Sequence, residues 1–215
     1  MYLKRSFIIF ILLQISMVSL YGQHIGLHKK SLKVLASEEK INVIFAYDEL
    51  TFDGRYISEK DFLKITTSRI SNRENSLVAN QWKADYLKAK KIIWPEAFIT
   101  ELNTALGQYR NAPAFVLNDP TTKYTMVIHT YWMDFGWDIG LMKRPAKATM
   151  TIYFYLSSDP ENFIASTKLK KREGLVADSR YGNNLGSIPS LESMQHVYER
   201  IAPDLAKALK RIVKK

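Results

Sequence analysis

Ala148-Thr149-Met150-Thr151-Ile152-Tyr153-Phe154-Tyr155-Leu156 alternates in period two along its whole length. Ala148, Met150, Ile152, Phe154 and Leu156 fall on one side, and Thr149, Thr151, Tyr153 and Tyr155 on the other. Apolar residues alternating with threonine and tyrosine suit a strand of an antiparallel sheet with one covered and one wet face. Downstream, Ser157-Ser158-Asp159-Pro160-Glu161-Asn162 carries turn residues. Phe163–Leu169 then reads as the second arm of a hairpin. Upstream, Tyr124–Met133 alternates too, with Tyr124, Met126, Ile128 and Trp132 on one face. Thr125, Val127, His129 and Tyr131 take the other. A third strand is predicted at Ile41–Tyr47, where residues 41, 43, 45 and 47 are large and apolar and Asp53-Gly54 supplies a following turn.

Two stretches carry helical spacing. Trp94, Phe98, Leu102, Leu106 and Tyr109 lie on one stripe, and Pro95 fits the first turn, where its missing N–H is not needed. The last segment, from about Ser190 to Lys215, repeats Met194, Val197, Ile201, Leu205, Leu209 and Ile212. Pro203 inside it predicts a kink or a division in two, because it removes a backbone donor and crowds the preceding turn. Ser58 followed by Asp61 resembles a capping box and predicts a short helix there. Thr66–Gln81 is polar and without period, which reads as a long excursion, and residues 173–190 read as a second long loop. Residues 23–40 read as a polar lead-in with a short helix near Leu32–Ala36. The sum is an α+β domain over residues 23–215: a mainly antiparallel, or mixed, sheet with two principal helices packed on one face.

Residues 1–22 read as a signal peptide. Lys4 and Arg5 precede Phe7-Ile8-Ile9-Phe10-Ile11-Leu12-Leu13, a weaker apolar stretch interrupted at Gln14, Ser16 and Ser19 runs on to Leu20, and cleavage is expected after Gly22. That run falls short of the roughly 20 residues that a spanning helix requires, so no transmembrane segment is expected after signal removal. Export to the periplasm or to association with the outer membrane follows. The 215 residues include no cysteine, which excludes a lipid anchor on cysteine, disulfides and thiolate metal sites. Loss of Lys4 and Arg5 lowers the formal net charge from +10 to +8. The remaining positive charge is spread along the chain, so nucleic acid is not an expected partner, while contact with an anionic surface is compatible with it.

The chemistry-bearing residues form no familiar constellation. There is no G-x-S-x-G elbow, H-E-x-x-H or phosphate loop. His24, His28, His129 and His196 are scattered, which gives no metal or cofactor site. His24 and His28 share helical spacing but lie in the lead-in, and His129 sits mid-strand on the wet face, where a hydrogen-bonded histidine is expected. Asp134, Asp138, Asp159 and Glu161 would serve a glycosidase only if two met across a cleft, and aspartates flanking turns are commoner. The most unusual segment is Tyr131–Met142, which joins two strands and is rich in aromatics and glycine. Trp132, Phe135, Trp137 and Met142 are therefore the candidate partner-binding residues, since aromatics and methionine are favoured at interfaces.

Several segments together resemble uncharacterised exported proteins of Bacteroidetes. They are the Gly22-Gln23 junction, Ile41–Tyr47, Phe52-Asp53-Gly54, Ser58-Glu59-Lys60-Asp61-Phe62, Trp94–Tyr109, Lys123–Ile128 and Phe135-Gly136-Trp137-Asp138-Ile139-Gly140. The order strand, helix, sheet, terminal helix is distantly similar to the small envelope domains of the penicillin-binding-protein activator and curli-secretion lipoprotein type. Those families are anchored through a cysteine that this chain lacks, and they supply no catalytic residue to carry over. The expectation is an exported, non-enzymatic accessory or scaffold of the cell envelope that binds another protein. A periplasmic small-molecule or glycan-binding module on the tyrosine-rich sheet face is the alternative, and a carboxylate-dependent hydrolase a more remote one.

Overall fold

The computed structural model describes residues 25–54, 56–138, 143–175 and 188–213. The signal peptide, Met142 and most of the segment read as a second long loop lie outside them. In chain order the elements are a helical turn Lys29–Leu32 continued by a 3₁₀ turn Lys33–Ser37, β1 (Lys40–Ala46), β2 (Thr51–Phe52), β3 (Ile57–Ser58), α1 (Glu59–Arg73) and α2 (Ser76–Lys88). A π-helical turn Ala89–Ile93 leads into α3 (Trp94–Leu106). There follow β4 (Ala114–Leu117), β5 (Tyr124–Asp134), β6 (Trp137–Asp138), β7 (Lys143–Arg144), β8 (Lys147–Leu156), β9 (Asp159–Glu173) and α4 (Leu191–Val213).

The fold is α+β with a mixed sheet. Its long ladders, β5 with β8 and β8 with β9, are antiparallel. β1 runs parallel to both β5 and β4, and β2 continues along the same side of β5 beyond β1. The strand order is thus β9-β8-β5-β1-β4, with β3 hairpinned on β2. Short strands β2, β3 and β4 were not legible as periodic runs, because two to four residues cannot establish a period.

One continuous core lies between the sheet and the helices. Met126, Ile128, Met150, Ile152 and Phe154 contribute from the sheet, Trp94, Phe98 and Leu102 from α3, and Met194, Val197, Ile201 and Leu205 from α4. Phe45 meets Phe98 edge-on at 5.6 Å, and Trp94 stacks on Tyr198 at 5.9 Å. α3 ends at Leu106, three residues before the expected Tyr109, and the Gly107 amide closes it on the Asn103 carbonyl at 2.7 Å.

Four expectations need correction. The polar excursion Thr66–Gln81 belongs to two helices. Ser58 caps α1, its Oγ accepting from the Asp61 amide at 3.2 Å, and Asn75 caps α2 by accepting from the Val78 amide at 3.0 Å. Their inward positions are Thr66, Ile70, Ala79, Trp82 and Tyr86, and apart from Ile70 these are too small or too polar-tipped to look like an apolar stripe. Pro203 does not divide the terminal helix, which runs as one element from Leu191 to Val213. Burial of Ile201, Ala202, Leu205 and Ala206 on both sides of the proline holds the turns that the missing donor would loosen. Trp132 does not share a face with Tyr124, Met126 and Ile128. The β5–β8 register shifts between Thr130 and Trp132, so Tyr131 is an extra residue. Trp132 then pairs with Thr149 on the far face, and Met133, opposite Ala148, takes the core position. β9 also starts earlier and ends later than Phe163–Leu169, with Asp159 already paired to Leu156.

Candidate functional site

Two groupings of chemistry-bearing residues stand out, one inside the molecule and one on it. The inner one lies where the π-helical turn meets α1. Glu59, the first residue of α1, accepts from the Tyr86 hydroxyl and from Lys90 Nζ on the same oxygen, each at 2.5 Å. Lys90 Nζ also sits 5.4 Å from the Tyr47 ring centre and 5.7 Å from that of Tyr86. The extra residue of a π turn lets Ala89 and Trp94 both reach the core while Lys90 turns to Glu59. Burial pushes the hydroxyl pKa of Tyr47, Tyr86 and Tyr198 upward, that of Tyr198 to about 12. The Tyr198 hydroxyl meets Thr130 Oγ1 at 3.0 Å. With its ammonium matched to a carboxylate and roofed by rings, this group clips α1 and the π turn together.

The outer grouping is the sheet face that the helices leave open. No residue from Val127, His129, Tyr131, Thr151, Tyr153 or Tyr155 enters the core cluster. β9 adds Phe163, opposite Tyr155, Ser166, opposite Tyr153, and Lys168, opposite Thr151. Tyr153 and Phe163 lie 4.7 Å apart ring to ring, and Phe163 is 57% exposed. Lys168 Nζ sits 5.1 Å from the Tyr131 ring centre, and Lys171 Nζ 5.5 Å from that of Trp132. The Tyr131 hydroxyl beside it shifts the Lys168 pKa upward. His129 Nε2 meets the Asp48 carbonyl at 3.0 Å, so it is the hydrogen-bonded histidine that its position predicts. At the β6–β7 end of this face Asp134 pairs with Arg144, and Glu173 with Lys147 at 2.6 Å. The surface is aromatic and basic.

The four candidate contact residues fare differently. Phe135 is 8% exposed and stacks on Phe62 at 5.5 Å and on Phe52 at 6.3 Å, so it is a core residue. Trp132 is 6% exposed, with its Nε1 donating to the Asp53 carbonyl at 3.0 Å and Lys171 over its ring. Neither presents a free face to a partner. Trp137, on the β6–β7 hairpin, is 39% exposed and does. Met142 lies outside the described residues.

Asp134 and Asp159 do not meet. Asp134 and Asp159 lie at opposite ends of β8, facing Lys147 and Leu156, which at about 3.3 Å per residue puts them about 30 Å apart. Two carboxyls acting on one glycosidic bond must be roughly 5–10 Å apart. Asp134 instead holds the Gly136 amide at 2.9 Å, and Asp159 accepts from the Asn162 side chain at 2.9 Å, both local turn contacts. Among the described residues, no group of three or more His, Asp or Glu is placed to hold a metal ion. His24 lies outside them, and His28 bonds Ser31 Oγ at 2.8 Å. No helix among the described residues is long and apolar enough to cross a membrane.

No family model matches the chain, and no curated protein does. Among solved structures, the chain is similar to the PelC dodecamer from Paraburkholderia phytofirmans at 10% identity and a TM-score of 0.35, over 84% of this chain and 91% of that one. A single-substitution form of the same dodecamer gives 11% identity and a TM-score of 0.34, over 84% of this chain and 92% of that one. Likenesses at these TM-scores carry no inference about function.

Proposed function

We propose that the chain is an exported, non-enzymatic accessory protein of the cell envelope that docks another protein on the open face of its sheet. The observation that carries this reading is the surface of Tyr153, Phe163 and Tyr131 flanked by Lys168, on a sheet whose opposite face is already covered. Large aromatic rings with a basic rim suit a protein interface, because they bury much area at little cost in side-chain entropy. Phe163 is the anchor, since it is the most exposed aromatic of this face.

The test is site-specific photo-crosslinking in the envelope of the source organism. A photoreactive amino acid is placed at Phe163 or Tyr153 and, as a control, at Leu77, which is 78% exposed on α2. Adducts to one defined protein from 153 and 163 but not from 77 are expected. No adduct from either sheet position, or the same adducts from all three, would sink the proposal. Fractionation of the same cells checks export, and retention of the full chain in the cytoplasm would remove the envelope role.

A further inference from the structure

The outer edge of β9 borders this face. β9 has fifteen residues and pairs only with β8, and among the described residues no backbone hydrogen bond reaches its other side. Every second peptide along such an edge presents an unpaired N–H and C=O. The ladder to β8 is irregular at both ends, between Phe154 and Leu156 and between Ala148 and Met150. Between them, Ala165, Ser166, Thr167, Lys168 and Leu169 pair without interruption with Phe154, Tyr153, Ile152, Thr151 and Met150. This regular window is the part of the edge able to accept a further strand, because bulges bend and twist the flanking parts away.

Charge decides which strand. Lys168, Lys170 and Lys171 follow one another along the exposed side of β9, and none of them pairs with a carboxylate among the described residues. Lysines on an edge repel a like edge, so a second copy of β9 is disfavoured there. They do not repel an acidic strand. We infer that the partner docks by adding a short, acidic, extended segment of its own chain to β9 along Ala165–Leu169, with its carboxylates drawn to the lysines of that strand. The inference rests on the reading of the open face as a docking surface and names the chemistry of its occupant. A polypeptide is favoured over an acidic glycan because only a peptide backbone matches the alternating donors and acceptors of the edge.

The probe is a synthetic peptide of alternating glutamate and threonine, about ten residues long so as to overrun the regular window. It is compared with the same peptide N-methylated at alternate residues, with a lysine–threonine version and with polygalacturonate, all titrated into the mature chain. Saturable binding by the first peptide alone is expected, with slowed amide hydrogen exchange at residues 165–169. Lys168→Glu, an exposed substitution whose folding is checked by melting, should weaken it by about fivefold or more, and Lys168→Gln by less. Binding that survives N-methylation, equal binding by polygalacturonate, or no saturable binding would each overturn strand addition. Adducts from Phe163 and Tyr153 alongside a silent peptide would discard the strand while keeping the docking face. Silence in both experiments would discard the face as well.

Discussion

Phe135 and Trp137 are two residues apart, both aromatic, and opposite in role. Phe135 closes a cluster with Phe52, Phe62, Tyr86 and Trp94, while Trp137 stands on the β6–β7 hairpin with a large part of its ring in solvent. Nothing in the composition of Tyr131–Met142 separates them, because alternation is broken by the bulge at Tyr131 and by the bend at Gly136. Phe135→Ala should cost about 3–5 kcal/mol, as deletion of a buried ring does. Its melting point should fall by about 10 °C, at roughly 2–4 °C per kcal/mol for a domain of this size. Trp137→Ala should cost less than about 1 kcal/mol. Thermal unfolding of the two variants side by side checks this, and equal losses would contradict the placement of Phe135 in the core.

At the level of elements, the β5–β6 connection depends on one glycine. Gly136 has a φ of +65°, and a Cβ there would lie 2.0 Å from the Arg144 carbonyl oxygen and 2.7 Å from the Pro145 carbonyl carbon. Backbone cannot yield as a flexible side chain would. Gly136→Ala should therefore destabilise by about 2–4 kcal/mol, from positive-φ strain and the collision together. Gly54→Ala, at a site with nothing within 4 Å of the new methyl, should stay within about 0.5 kcal/mol. Denaturant midpoints measure both, and a neutral Gly136→Ala would mean that the hairpin sits elsewhere. The helices show why some elements were readable and others not. α3 and α4 present Phe98, Leu102, Ile201 and Leu205 to the core, and their period shows directly. α1 and α2 reach the same core with Thr66, Ala79 and the polar-tipped Trp82, whose Nε1 donates to the Pro189 carbonyl at 3.1 Å. Ser58 and Asn75 were the legible part, since a cap is a local interaction and needs no partner element.

For the molecule as a whole, three buried tyrosines link folding to alkaline pH. Tyr47, Tyr86 and Tyr198 keep their protons in the fold to higher pH than free tyrosine, chiefly through burial, while the unfolded chain releases them near pH 10. Above about pH 10 the folded state thus binds more protons than the unfolded one, and stability falls as pH rises. The loss should be absent below about pH 9, steepen from about pH 10, and become shallower in Tyr198→Phe. Denaturant unfolding between pH 7 and about pH 11 checks it, and a flat profile would place these hydroxyls in water. The sequence by itself determined the α+β class, the β8–β9 hairpin, the two main helices and the wet face carrying Thr151, Tyr153 and His129. Each of these follows from a local period or a turn, which neighbours along the chain suffice to specify. Only the tertiary structure decided that Trp132 leaves the core face, that Phe135 enters the core, and that Thr66–Gln81 is helical. It alone also set Phe163 and Lys168 beside Tyr153 and Tyr131. Those outcomes depend on a register shift and on contacts between residues far apart in the chain, and no local pattern encodes either.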